Sequence, residues 1–426
     1  MKILVCGASG LLGQAICLKL QQQGHEVWQG LRQVTAERQI HCDFSKTESS
    51  ASWQQKFAAM GRINLIINAA GTTLNASQAE QYQVHYHAPK AMFEAACRFG
   101  LSAYIQISAL GQADLSHFIA SKHALDLYLQ QLNLPGLVLR PSLVVAEAGL
   151  SSRHLRLAAS LPRLLLPAQT CMLQPIALSD VLSLLLNYVS RLQNHELQAG
   201  QQVISAVGPE RLSLHQLLQR YRHLLGLASA AHWTIPNALM SGLAALASAL
   251  PGSLLSSESW RLLRAGNLAT AQEYQLMQAL LGRPSRSFEA DLLPLPAQLL
   301  RSSALVLAMR YASILVLSCL WLLTAWLSFA IFPRQQSYQM LAALAIPPDW
   351  QAFTLNFACG LDLLMGIACL FWPKRLLWLT QAVLICAYSG LIALGLPEYW
   401  LHPFAPILKN LPILLLLGFL YASQDS

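Results

Sequence analysis

This sequence has little charge. Asp, Glu, Lys and Arg make up only 11% of 426 residues against 54% hydrophobic ones, a balance that a wholly water-exposed protein of this length cannot sustain. Part of the chain is therefore solvated by lipid. Paired cysteine motifs are also missing: the nine cysteines (Cys6, Cys17, Cys42, Cys97, Cys171, Cys319, Cys359, Cys369 and Cys386) include no CxxC and no His at metal-ligand spacing. That excludes a sequence-legible metal site and leaves them as small apolar residues. The net charge of +8 is not gathered into a Lys/Arg run with interleaved aromatics, so no nucleic acid is expected as a partner. The positive excess is expected in loops facing anionic lipid. The apolar run after Met1-Lys2 lasts about four residues before glycine, well short of a secretory h-region. The N-terminus is expected to stay in the cytoplasm.

What is present starts at once. The strand Ile3-Leu4-Val5-Cys6 runs into Gly7-Ala8-Ser9-Gly10-Leu11-Leu12-Gly13, followed by an amphipathic helix from Gln14 to Gln23. Glycines at those spacings permit a tight strand-to-helix turn, a close backbone approach to a pyrophosphate, and close packing of helix on sheet. The helix N-terminus adds amides and the positive end of its dipole. Gly7, Ser9, Gly10, Leu11, Leu12 and Gly13 are therefore expected to bind a dinucleotide.

The length calls for at least two domains. Up to about residue 145, strand and helix patterns alternate, the mark of an α/β, doubly wound parallel sheet. Strands are expected at Ile3–Cys6, Glu26–Leu31, Gln39–Cys42, Leu65–Asn68, Ala103–Ser108 and Gly136–Arg140, with clear helices at His87–Phe99 and Phe118–Leu132. Residues 146–300 break into short apolar runs punctuated by Pro and Gly, which suits a small lobe over the cofactor crevice. Two of these runs, Leu155–Leu166 and Ala238–Leu250, are expected as core or interfacial helices. In 301–426, apolar runs at 304–332, 353–372, 376–396 and 405–422 approach or exceed the ~20 residues that span a bilayer. They predict a four-helix transmembrane bundle. Arg301, Arg310, Lys374 and Arg375 fall on one side of it, against Arg334, Asp349, Glu398 and His402 on the other. The positive side is inner, so both termini are expected in the cytoplasm of an inner-membrane, multi-pass protein.

At the end of the second strand, Val27-Trp28-Gln29-Gly30-Leu31-Arg32 offers no carboxylate for a ribose diol, whereas Arg32 could pair a 2′-phosphate. NADP is therefore favoured over NAD. Asp43 is placed either to meet the adenine edge or to cap a turn. Asn68-Ala69-Ala70-Gly71 ends the fourth strand with small residues that let ribose and phosphates pass close to backbone.

Together with the opening loop, this run resembles the extended short-chain dehydrogenase/reductase family, in its nucleoside-diphosphate-sugar-epimerase-like branch with a Rossmann core. The resemblance continues through Gln106-Ile107-Ser108-Ala109, Arg140-Pro141-Ser142 and Pro175-Ile176-Ala177-Leu178-Ser179-Asp180, over about residues 1 to 290. It implies that a Ser and a Tyr four residues before a Lys do the chemistry, the phenol moving a proton while the Lys lowers its pKa and holds the ribose. Ser108 and Lys122 match the first and last of these; the tyrosine slot holds Phe118. Tyr104, Tyr128 and His117 are nearby in sequence without being natural substitutes, and His85 stands where the family usually has Asn.

The last third resembles the DoxX-like family, over about residues 300 to 422, on Asp362 within Cys359-Gly360-Leu361-Asp362-Leu363-Leu364-Met365-Gly366 and on His402-Pro403-Phe404-Ala405-Pro406-Ile407-Leu408-Lys409-Asn410. A mid-span carboxylate calls for a partner. Arg310, some 10 Å up its own span, and Lys409 are the available cations. Gly360 and Gly366 read as small packing residues beside Asp362.

These readings imply a membrane-anchored NAD(P)(H)-binding oxidoreductase or epimerase-like protein. Its substrate would be hydrophobic or membrane-borne, such as a lipid, isoprenoid or quinone, and its catalysis impaired or atypical because of Phe118. The alternative is a non-catalytic dinucleotide sensor or assembly protein for membrane partners. The sequence does not speak to oligomeric state.

Overall fold

The computed structural model describes residues 1–169, 171–250, 253, 255–396, 398, 405 and 407–423. They form two compact units, Met1–Arg301 and Ser302–Ser426.

In the first unit, six strands follow the expected plan: β1 (Lys2–Cys6), β2 (Glu26–Leu31), β3 (Gln39–His41), β4 (Leu65–Asn68), β5 (Ala103–Ile107) and β6 (Pro135–Pro141). A seventh, Gly200–Ala206, joins β6, and the order across the sheet is Gly200–Ala206, β6, β5, β4, β1, β2, β3. Every pairing is parallel. Parallel strands need crossovers that cover both faces, so their residues read as continuous apolar runs. Leu65, Ile66 and Ile67 are accordingly all fully buried. Alternate residues sort to opposite cores: Ile3, Val5, Ile67 and Ile105 pack with the helices Leu11–Gln22 and Leu178–Gln193, while Leu4, Cys6, Ile66 and Tyr104 pack with Ser50–Met60 and Ala88–Arg98.

Chain order reverses between β1 and β4, so the crevice at their carboxyl ends is where a doubly wound sheet takes a ligand. The opening glycine loop and Asn68–Gly71 both emerge there. The seventh strand lies at the sheet edge with Gln202 and Val203 exposed, and that half-wet edge is why its sequence shows no apolar run.

Beyond Pro141, two short parallel pairs, Val144–Val145 with Ile176–Ala177 and Leu164–Pro167 with His232–Ile235, build the smaller lobe. Here one expectation is corrected. Leu155–Leu166 is not one helix: Leu150–Ser160 is helical, the chain turns at Pro162, and Leu164–Pro167 is a strand. Proline disfavours helix in the residue before it and cannot continue the ladder itself. Ala238–Leu250 is helical as expected, over Asn237–Ser248.

In the second unit three helices are long and apolar enough to cross a membrane: Ala297–Ile331, whose last turn is π-helical, Pro348–Phe371 and Arg375–Gly395. The expected fourth span is described as a helix only over Asn410–Ala422, 13 residues. At ~1.5 Å per residue that is about 20 Å, against ~30 Å of hydrocarbon, so a fourth full crossing is not among the described residues. His402, Pro403, Phe404 and Pro406 of the expected motif lie outside them. A further helix, Arg334–Ala343, was not legible in the sequence.

Leu317, Trp321, Met365, Cys369, Trp378 and Leu417 share one core in this unit. Polar groups are satisfied across helices: Ser318 Oγ donates to Gly366 O at 2.9 Å and Trp321 Nε1 to Gln381 Oε1 at 3.0 Å. Gly366 is a packing glycine, since a Cβ there would come within 2.7 Å of Leu322; Gly360 faces open space. The expected Arg310–Asp362 pair does not form among the described residues. Asp362 is buried with its Oδ1 unpartnered, and Arg310 is half-buried on its own helix.

Gly136 on β6 has no room for a side chain: a Cβ would overlap the ring of Tyr104, whose hydroxyl donates to Leu129 O at 3.0 Å. Gly136→Ala is expected to cost about 1–3 kcal/mol by overpacking. In the same differential scanning calorimetry series, Gly242→Ala, in a helix with open space around it, is expected to hold or raise the melting temperature.

Candidate functional site

The glycine loop folds as its spacing requires. Gly7 has φ +74°, and a Cβ there would lie 2.7 Å from Ala70 Cα and N. A Cβ on Gly13 would run into Gly7 O. Both contacts are backbone, so neither position tolerates a side chain. Gly10 caps the helix Leu11–Gln22 with no side-chain hydrogen bond to its first amides, which leaves that N-terminus open to an anion.

A groove of about 260 Å³ runs across this region, and Gly7, Ser9, Gly10, Arg32, Ala70 and Gly71 are among the residues that line it. Gly30, Leu31, Cys42, Phe44, Ser45, Ala69 and Val84 complete it. Of the expected set, Leu11, Leu12, Gly13, Asp43, Asn68 and Lys122 are not in the wall. Asn68 works from behind: its Oδ1 accepts from Ala70 N–H at 3.2 Å, and its amide donates to Gln106 Oε1 at 2.8 Å, which fixes the turn that carries Ala69 and Ala70. Arg32 stands at the groove edge and pairs with Asp43 at 3.6 Å. Asp43 is engaged in its own turn, its Oδ1 accepting from Ser45 N–H and Oγ, and these bonds, with Arg32 beyond them, hold its carboxyl below the usual range.

Deeper in, β5 and the helix His117–Gln130 bring Ser108, Phe118 and Lys122 together. Serine caps that helix: Ser116 Oγ accepts from Ile119 N–H. Lys122 is 6% exposed and donates from Nζ to Ile107 O at 3.1 Å, with the Phe118 ring 5.4 Å away. Burial lowers its pKa to about 8, because an ammonium loses more than an amine on leaving water. Ser108 Oγ points elsewhere and donates to Asp126 Oδ2 at 2.8 Å, which also receives Arg140 Nε and Nη2. Asp126 follows Lys122 by four residues on one helix face, a spacing present in the sequence but not singled out there.

His85 packs edge-on against Phe118, ring centroids 5.0 Å apart. Its tautomer follows from its partners. Thr72 N–H donates to Nε2 at 3.1 Å, so Nε2 is unprotonated; Nδ1 carries the proton and donates to Ser121 Oγ at 2.8 Å, whose own hydroxyl donates to Phe118 O. Burial, helped by the Lys122 charge, drives the His85 pKa down to about 2. Phe118 is also held by a residue far along the chain. Glu258 Oε1 accepts from Phe118 N–H at 3.0 Å and Ser116 Oγ at 2.6 Å, and Oε2 from Gln81 Nε2 at 3.1 Å. Burial alone would raise the Glu258 pKa, but these hydrogen bonds outweigh it and leave the carboxyl below its ordinary value. No sequence pattern marks Glu258. His117 is not part of this cluster by any recorded contact, and Tyr104 is spent on Leu129 O.

A second cavity, about 300 Å³, opens beside the loop after Ser108, with Leu110, Leu115, Arg140, Leu262, Asn267 and Glu273 in its wall. The Asn267 Oδ1 atom is buried without a partner. No group of three or more His, Cys, Asp or Glu residues capable of holding a metal occurs among the described residues.

A parallel doubly wound sheet with an open helix N-terminus at its switch point, and a buried Lys beside it, is the architecture of a Rossmann-like α/β domain. In comparison with known proteins, residues 3–159 match the NAD dependent epimerase/dehydratase family, and residues 318–418 match the DoxX-like family. The chain thus carries an epimerase/dehydratase-family domain at its N-terminus and a DoxX-like domain at its C-terminus. Among solved structures, it is similar to MoeE5 in complex with UDP-glucose and NAD (17% identity, TM-score 0.52, covering 71% of this chain and 99% of that one). A nucleoside-diphosphate-sugar epimerase from Staphylococcus aureus aligns at 14% identity and TM-score 0.53, over 69% of this chain and 100% of that one. The human epimerase family protein SDR39U1 with NADPH aligns at 15% and 0.51, over 71% and 99%. At these identities the likeness is one of fold. No curated protein matches the chain.

The buried imidazole gives a pH signature. With a folded pKa of about 2 against about 6.5 when unfolded, His85 takes up a proton on unfolding throughout the window between them, so its contribution falls as pH drops below 6.5. At pH 5 that loss is about 2 kcal/mol. His85→Asn, which can still accept from Thr72, is expected to remove about that much of the stability change between pH 7 and pH 5, read by urea unfolding.

Proposed function

We propose that this chain is a membrane-associated, NADP-preferring oxidoreductase or epimerase-like protein, acting on a hydrophobic or membrane-borne substrate. Its functional division is 1–145 for the cofactor core, 146–300 for the remaining core elements and substrate lobe, and 301–426 for the membrane domain. The N-terminal domain faces the cytoplasm at the inner membrane, where nucleotide is available. The observation that carries the reading is the groove itself, since its backbone cradle at Gly7 and Gly10 and its open helix N-terminus fit a diphosphate and little else.

The residues present fit a nicotinamide dinucleotide. Gly7, Ser9, Gly10, Leu11, Leu12 and Gly13 form or support the diphosphate turn, and Ala69, Ala70 and Gly71, shaped by Asn68, pass beneath the ribose. Arg32, paired with Asp43, takes the 2′-phosphate, and the end of β2 itself supplies no carboxylate to repel it. When bound, the cofactor supplies or accepts hydride. Lys122 holds its ribose and, with a pKa of about 8, is the one group of the cluster placed to exchange a proton near neutral pH. Ser108 would have to leave Asp126 to reach a substrate oxygen. The second cavity, walled by leucines with Arg140, Glu273 and Asn267, is the proposed substrate pocket.

One observation favours the second reading, a non-catalytic dinucleotide sensor. Phe118 fills the proton donor's place, and Ser108 is engaged with a buried ion pair. The two readings separate by experiment. If the site turns over, Phe118→Tyr is expected to raise NADPH-linked turnover with a membrane lipid extract by roughly 10²- to 10⁴-fold, the usual worth of a general acid, and Lys122→Ala to abolish it. A sensor instead keeps its cellular function in Ser108→Ala and loses it in Gly10→Asp.

Cofactor choice is tested by calorimetric titration of the full chain in detergent. Arg32→Ala is expected to weaken NADPH binding about tenfold, the equivalent of ~1.4 kcal/mol, and leave NADH unchanged. Equal loss for both would remove the assignment of Arg32 to the 2′-phosphate.

A further inference from the structure

The smaller lobe carries an apolar face that its own core does not use. The helix Asn237–Ser248 has no charged residue, and only Met240 and Ala244, four apart, are buried, against Trp260 of the neighbouring helix Ser257–Ala265. Its other side turns Leu239, Leu243 and Leu246 outward at 55%, 41% and 70% exposure. Immediately before it, Trp233 is 58% exposed and sits in register with Leu165, 46% exposed, on the two-stranded sheet. A water-facing helix of this length would ordinarily carry charge on its open side.

Within the lobe segments that build this face, the exposed charges are of one sign. Arg163 stacks over Trp233 at 5.3 Å, and Arg261 and Arg264 are exposed on the helix that packs beside the apolar one through Trp260 Nε1 to Ser241 Oγ, 3.0 Å. Within residues 150–169 and 231–265 the one acidic side chain among the described residues is Glu258, and it is buried against Phe118 and Ser116. Leucines on one helix face, a tryptophan at their edge and a rim of arginines without competing acids are the composition of a segment that lies in the headgroup layer of an anionic membrane. A bilayer is also the surface this lobe meets at high effective concentration, because the same chain continues into the apolar helix Ala297–Ile331.

We infer that Trp233, Leu239, Leu243 and Leu246, framed by Arg163, Arg261 and Arg264, form an interfacial membrane-docking face on the substrate lobe, selective for anionic lipid. The inference rests on the membrane reading of the C-terminal helices and is independent of any catalysis. The face lays the lobe on the lipid surface, so that a membrane-borne ligand need not cross bulk water to reach it.

The test uses the full chain in nanodiscs holding one copy each, made from phosphatidylcholine and phosphatidylglycerol with or without bromine on the upper acyl carbons. The Trp233 emission is obtained as wild type minus Trp233→Phe. Brominated lipid is expected to quench that component by roughly half, as for an indole at the headgroup boundary. Leu243→Asp/Leu246→Asp, at exposed positions and so with an unchanged melting curve, is expected to abolish most of the quenching; phosphatidylcholine alone is expected to weaken it. Trp233 emission indifferent to bromine in an incorporated chain overturns the inference alone. Shielding of Trp233 confined to discs that hold two copies also overturns it, in favour of a second chain as occupant. A chain that cannot be incorporated at all overturns the membrane reading, and this inference with it.

Discussion

The first unit depends on a backbone contact that no side chain could survive. Where β1 ends, Gly7 lies so close to the chain leaving β4 that a single added carbon would sit 2.7 Å from Ala70. The same glycine presses its carbonyl toward Gly13 on the following helix. Two elements distant in sequence and one adjacent element meet there through main chain alone. That meeting brings the helix N-terminus, the β4 turn and the Arg32 edge around one groove. Packing energy comes from the two cores on either side of the sheet, but the geometry at its carboxyl edge comes from these glycines.

Behind the groove, buried polar groups hydrogen-bond across several elements, with Asp126 Oδ1 and Gln81 Oε1 left without partners. Lys122 is spent on Ile107 O, Ser108 and Arg140 on Asp126, His85 on Thr72 and Ser121, and Phe118 N–H on Glu258. A phenyl ring at position 118 is compatible with this arrangement because it needs nothing from it: its face meets Lys122 and its neighbour is the edge of His85. A neutral imidazole with a fixed tautomer tolerates an adjacent cation that an imidazolium would not. The cluster is thus well settled as a structure, which bears on both readings of its function.

Much of this was legible before the coordinates. The strands of the first half carry continuous apolar runs because both faces of a parallel sheet are covered, and each was placed to within about two residues. The glycine loop makes the strand-to-helix turn its spacing requires, and Lys122 and Phe118 lie close together on one helix, while Ser108 is engaged by Asp126. The seventh strand was not legible, since an edge strand with exposed Gln202 and Val203 leaves no pattern. Nor were Asp126, His85 as a hydrogen-bonded centre, or Glu258, because their significance comes from contacts that link residues up to 177 positions apart. In the membrane unit, composition located three long helices but could not tell a full crossing from the shorter helix Asn410–Ala422. The Arg310–Asp362 pair, expected from the depth of the two residues along their helices, does not form, since depth alone does not say which way a helix face points.

Glu258 also makes the lobe answerable to the core. Its carboxylate, carried by a helix of the smaller lobe, gathers hydrogen bonds from Gln81, Ser116 and Phe118, on two separate elements of the sheet domain. Charge-assisted bonds of this kind contribute about 1.5–3 kcal/mol each, and those from Ser116 and Phe118 end on the N-cap and first turn of the helix that bears Lys122. Any displacement of that helix of the lobe therefore tugs on the frame that sets the ammonium's position, and any ligand that shifts Phe118 loosens the latch from the other side. Mechanical strain entering at one face of the molecule has a direct route to the Lys122 ammonium.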